Sequence, residues 1–435
     1  MKPIIAIMLF CFFVPAIKAQ RTKINADSIS VYFNQVKKAT REHAKLWNKD
    51  IYGPIMLVDP DTRVIYTSEQ NGENSLKQHG EFFVGILPEE VSFSHTSVEW
   101  SGKIWAMVVL PLPQDPYKRV DLIVHELFHS AQLSLGFDIH GANNYHLDEK
   151  DGRIYLRLEL AALEAALKAN RLNRAEEHLR NALIFRKYRH ILYTGSETME
   201  NRLELLEGLA TYTGQMMSGR DKWQWREYLK ERLKDFEQTP TFVRSFAYET
   251  LPVYGFFLYQ KNNNWNKEID AETDLTTYLS EAFGLDRRII LPAFVKQVAE
   301  DYHVKKITNE EINRNQTNTL TLDEYRERFF ELPRLEIKLE NMSMSFNPTN
   351  LIPLDVDEGI VYPTIRVSDN WGILTVTEGG ALMTPGSRWV VVSAPTEING
   401  VDIKGDGWTL QLKTGYFIEK NKQGNFLVGK VEEEK

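Results

Sequence analysis

The chain has 435 residues, 43% hydrophobic and 26% charged, which suits a globular protein of two or three domains and excludes global disorder. A net charge of −8 without a basic stripe argues against nucleic acid as a partner. The single cysteine, Cys11, excludes disulfides within the chain, so any metal site has to use histidines and carboxylates.

Residues 1–19, "MKPIIAIMLFCFFVPAIKA", join a basic start to a short apolar run and a small residue, Ala19, ahead of Gln20. This pattern predicts a cleavable secretory signal, because the run is too short to span a bilayer. Cys11 lies inside it, and Phe10 stands where lipid attachment needs a small residue. The expected product is an exported protein, periplasmic or secreted. Without Lys2 and Lys18 its charge becomes −10, with 50 basic against 60 acidic residues. No later apolar run is long enough to span a bilayer, so no integral membrane segment is expected in the mature chain.

Residues 20–118 read as a small α+β region. Ile29, Phe33, Val36 and Trp47 lie at roughly helical spacing. "PIMLVD" and "RVIYTS" flank the turn "DPDT" as a hairpin, and "GEFFVGIL" and "KIWAMVVLPL" look like two further strands. From 119 to 335 apolar residues recur every three or four positions, as in "GRIYLRLELAALEAALKAN" and "ETMENRLELLEGLATYTGQMM", and the region reads as helical. Residues 336–435 are short β-rich runs between Gly, Pro and Asn turns, which predicts an all-β, sandwich-like domain. The expected fold class is α+β.

Chemistry concentrates in "VDLIVHELFHSAQLSL", residues 120–135. On a helix His125 and His129 lie one above the other and can reach one ion, and H-E-x-x-H is a zinc-protease signature. Glu126, adjacent to the first histidine, suits a general base that deprotonates a water made acidic by the metal. Burying these groups among Leu122, Ile123, Val124, Leu127 and Phe128 is costly unless an ion satisfies them. A catalytic zinc needs a third protein ligand and one open position. Gln132 and Leu135 stand where the three-histidine metzincin pattern needs Gly and His, which excludes that class. Three glutamates remain: Glu149 in the charged turn "HLDEKDGR", Glu207 in the apolar "LELLEGLATYTG", and Glu204, which fits a solvated face beside Arg202.

"HELFH" followed by "EGLATY" resembles the gluzincin-type zinc metallopeptidases, in particular the peptidase MA-like family. The resemblance implies Zn2+ held by His125, His129 and Glu207, with Gly208 allowing close helix packing and Ala210 and Tyr212 completing the motif. Glu207 follows His129 by 78 positions, a longer interval than in the best-known members. The resemblance further implies that "WSGKIWAMVVL" is an edge strand carrying an extended peptide substrate. Gluzincins commonly steady the substrate oxyanion with Tyr or His, and Tyr248 and Tyr254 are the candidates. The alternative for both is core packing in an apolar helix.

His140 and His146 read as surface or capping residues, and Glu159 and Glu164 as solvated or salt-bridged carboxylates on a helix. The expected function is peptide-bond hydrolysis with Glu126 as base. A non-catalytic, zinc-stabilised binding protein and a zinc hydrolase acting on a non-peptide amide or ester remain as alternatives.

Overall fold

The computed structural model describes residues 26–139, 144–237, 239–285, 290–347, 350–355 and 357–431; the expected signal and His140 lie outside them. Helix α1 (Ala26–Glu42) buries Ile29, Phe33 and Val36. Six strands follow: β1 (Ile55–Val58), β2 (Val64–Thr67), β3 (Lys77–His79), β4 (Phe82–Ile86), β5 (Thr96–Trp100) and β6 (Lys103–Val109). They form a sheet of order β3-β4-β2-β1-β6-β5. β1 and β2 make the expected hairpin, pairing Met56 with Thr67, whereas β1 and β6 run parallel.

The edge-strand expectation needs correction. Residues 100–110 are not one edge strand: Trp100 ends β5, Ser101 and Gly102 turn the chain at positive φ, and β6 lies inside the sheet between β1 and β5. β5 is the edge. The continuous apolar run of β6 reflects burial on both faces: Ala106 and Val108 pack under the helices, and Trp105 and Met107 pack on the opposite side.

Helix α2 (Pro116–Gln132) starts where Asp115 accepts hydrogen bonds from the Tyr117 and Lys118 amides and Pro116 takes the first helical position. Its apolar stripe, including Ile123, Val124, Leu127 and Phe128, is fully buried against β6 and the helices that follow. Helices α3 (Lys150–Lys168) and α4 (Leu172–Leu192) pack as a hairpin. α5 (Ser196–Leu203) and α6 (Leu209–Met217) are joined through a π-helical turn, Glu204–Gly208. α7 (Lys222–Phe236) opens with a reciprocal Asp221–Gln224 capping box, and α8 (Ala247–Lys261) packs on the π turn. α9 (Leu275–Phe283), α10 (Pro292–Ala299) and α11 (Val304–Arg326) complete the helices among the described residues. No helix there is long and apolar enough to cross a membrane.

From Arg334 onward the chain is strands. A seven-stranded and a six-stranded sheet share one apolar core, with Ile337 and Val390 from the first meeting Val367 and Leu374 from the second. The outer face of the six-stranded sheet rests on the segment after β4. The Arg366 guanidinium donates to the Glu89 carbonyl (2.8 Å) and Ser92 Oγ (3.2 Å), and Ser368 Oγ donates to the Glu90 carbonyl (3.0 Å). This seam sets the strand region as one wall of a cleft of about 1170 Å³, with α2 and the start of α8 lining it elsewhere.

Candidate metal centre

His125 and His129 project from α2 toward the π turn, where Glu207 meets them. His125 Nε2 and His129 Nε2 are 3.0 Å apart, and Glu207 Oε2 lies 3.5 and 3.2 Å from them. Ligands bound tetrahedrally at about 2.0–2.1 Å stand about 3.3–3.4 Å from one another. The three observed edges therefore fit a single ion, with a fourth position left over. Among the described residues this is the cluster of three donors able to hold one.

Each imidazole is held by its other nitrogen. His129 Nδ1 is 2.7 Å from Gln132 Oε1, and the Gln132 amide donates to the Leu206 carbonyl (2.9 Å) on the π turn. Thr211 Oγ1 donates to the Glu207 carbonyl (2.9 Å) and so can accept from His125 Nδ1, 3.3 Å away. Both arrangements place the ring proton on Nδ1 and leave the Nε2 lone pair for a metal. The residue that excludes the metzincin pattern, Gln132, thus orients one of the three candidate donors. Helical spacing was the available signal: Gln132 is three residues after His129 and Thr211 four after Glu207.

Electrostatics follow from this crowding. Burial would raise Glu207, but the two imidazoles outweigh it and hold the carboxyl well below its usual range. Burial alone would lower His129; the Glu207 carboxylate reverses this and holds it at about 9. A cation replaces that proton without changing the charge logic. Glu126 is buried, its Oε2 has no hydrogen-bond partner among the described residues, and burial pushes its pKa to about 8. A carboxylate that binds a proton near neutral pH beside a candidate metal site can take a proton from water and return it.

Tyr248 joins the centre: its hydroxyl donates to Glu207 Oε2 (2.7 Å) and its ring stacks on His125 at 5.7 Å. Tyr254 does not. It is fully buried, donates to Glu159 Oε1 (3.0 Å) and lies under the Arg186 guanidinium at 4.9 Å. These contacts place it in a separate buried ion network, which Thr250 joins by donating its hydroxyl to Glu204.

Within this network Arg186 pairs with Glu159 (2.8 Å) and Glu204 (2.7 Å), and Arg189 with Glu159 (2.9 Å) and Glu200 (2.6 Å), all of them buried. Glu204 is therefore not a solvated residue beside Arg202, whereas Glu159 is salt-bridged, one of its two expected settings. His146 is buried against Glu200 (2.7 Å) rather than lying on the surface. Glu149, the remaining alternative ligand, is exposed where α3 begins. The π turn separates the two nearby glutamates. Residues three apart share a face of an α-helix, but the wider turn rotates them apart, Glu204 to Arg186 and Glu207 to the histidines.

Glycines permit the close approach. A Cβ on Gly208 would lie 2.8 Å from Leu251 Cβ on α8, and one on Gly214 would lie 2.5 Å from the Asp121 carbonyl on α2. Tyr212 is a core residue whose hydroxyl accepts from Trp265 Nε1 (3.0 Å).

No family model matches this chain, and no curated protein or solved structure matches it either.

Proposed function

We propose that this chain is an exported zinc-dependent metallopeptidase of the gluzincin type. The observation that carries the reading is the convergence of His125 Nε2, His129 Nε2 and Glu207 Oε2 within 3.5 Å of one another beside the buried Glu126. Two imidazoles and one carboxylate are a donor set that suits zinc. Three protein ligands leave one coordination position, and the adjoining cleft gives a substrate access to it, which favours a catalytic over a purely structural site.

Zinc bound there would supply Lewis acidity to the water and the substrate carbonyl. Glu126 takes a proton from the attacking water, and the water oxygen forms a bond to the carbonyl carbon. Glu126 delivers that proton to the nitrogen, and the carbon–nitrogen bond breaks with a neutral amine leaving. Burial and the Glu207 charge keep the Tyr248 phenol protonated, so it can donate to the developing oxyanion once Glu207 is engaged by the ion.

Elemental analysis of tag-free protein should find one zinc per chain. Glu126→Gln should retain that zinc and lose cleavage of a broad peptide library. Absence of stoichiometric metal would sink the reading, and so would undiminished cleavage by Glu126→Gln.

A further inference from the structure

Several of the charged side chains that line the cleft are paired with a neighbour. Asp121 pairs with Arg220 at 3.3 Å, and Glu249 is held by Arg232, with Arg232 Nε 3.2 Å from its Oε2. Glu207 faces the histidines, Glu126 stands beside them as the base, and the remaining lining carboxylate, Asp235, is exposed to solvent. Arg244 differs from these paired groups. It lies in the turn ahead of α8, half-buried and lining the cleft, with Nη2 3.8 Å from Glu207 Oε1. That separation exceeds a hydrogen bond, and among the described residues its guanidinium donates to no acceptor. An ion on Glu207 would consume the charge of the one carboxylate beside it. Arg366, on the facing wall, donates to the Glu89 carbonyl and Ser92 Oγ among the described residues and so is already engaged.

We propose that Arg244 is a carboxylate-recognition residue, and that the preferred substrates are peptides carrying a carboxylate close to the scissile bond. This rests on the peptidase reading. A guanidinium with a free fork matches a carboxylate in two parallel hydrogen bonds, and a partly desolvated site strengthens them. Its place beside the third ligand puts the bound carboxylate near the reacting carbonyl. The carboxylate can come from an Asp or Glu side chain or from a free C-terminus.

The test uses zinc-loaded, full-length Glu126→Gln protein and calorimetric titration with four matched peptides. Two are C-terminally amidated and differ only by Glu or Gln at one position; the other two contain Gln and end in a free acid or an amide. At least one acid should bind about tenfold tighter than its neutral partner. A preference within the first pair identifies a side-chain carboxylate, and one within the second identifies a terminus. Adding Arg244→Gln should erase the preference with zinc content unchanged, and Arg244→Lys should restore part of it. Equal binding of acid and neutral peptides, no binding of any, or a preference that survives Arg244→Gln overturns the assignment. If the preference holds but the wild-type chain cleaves none of the peptides, Arg244 stands and the peptidase reading falls.

Discussion

Replacing Gly208 by alanine tests whether close helix packing sets the third ligand. The new Cβ would sit 2.8 Å from Leu251 Cβ, 2.9 Å from Leu251 Cδ2 and 3.1 Å from the Ala247 carbonyl. Carbon atoms pack at about 3.5 Å, so the π turn and α8 must part by roughly 0.7 Å. Overpacking of this kind costs about 1–3 kcal/mol. Metal–ligand distances tolerate only about 0.2 Å, so a displacement of that size next to Glu207 should also weaken metal binding, by about tenfold or more. Chemical denaturation of metal-free protein reads the first effect, and competition with a chromophoric chelator reads the second. Leu251→Gly removes both opposing carbons, so the double variant should be less destabilised than the two single effects added together. Additive losses, or an unchanged metal affinity in Gly208→Ala, would refute the idea that this contact positions Glu207.

The same geometry has three other consequences. Gln132→Ala frees the His129 ring and should lower metal affinity about 10–100-fold in the same chelator competition; an unchanged affinity would remove Gln132 from the ligand-orienting role. Tyr248→Phe should lower turnover while leaving the fold intact. Tyr254→Phe should instead destabilise the protein by about 1–3 kcal/mol, because Glu159 loses a buried donor; the reverse pattern in paired kinetic and denaturation measurements would restore Tyr254 as the catalytic candidate. Metal-free protein should lose stability on the alkaline side. Glu126 binds its proton up to about 8 in the folded chain against an ordinary 4.5, and His129 up to about 9 against 6.5. Their contribution is complete below the ordinary values and is lost as pH rises through the folded ones. Denaturation midpoints that rise between pH ~6.5 and pH ~9.5 would contradict this assignment.

Much of the site was legible because it is local. Two histidines four apart and the glutamate beside the first share one α-helix whatever the rest of the chain does, and Asp115 with Pro116 marks where that helix starts. The β1–β2 hairpin and the long amphipathic helices are likewise short-range patterns. Periodicity can mislead when a turn departs from it. Glu204 and Glu207 look equivalent on an ideal α-helix, and the π turn that separates them has no marker in the sequence read alone.

The pair of histidines and the glutamate beside the first were therefore readable from residue order, because neighbours on one helix stay neighbours in any fold. Which glutamate lies against the histidines was a tertiary outcome, since it depends on bringing residues 78 positions apart together, one on α2 and one on the π turn. The same holds for β5 as the edge strand, because hydrophobicity reports burial and not which strand lies alongside. Packing also separates Tyr248 from Tyr254. Both are aromatic residues of one helix, but only contact with the π turn or with Arg186 gives each phenol its partner.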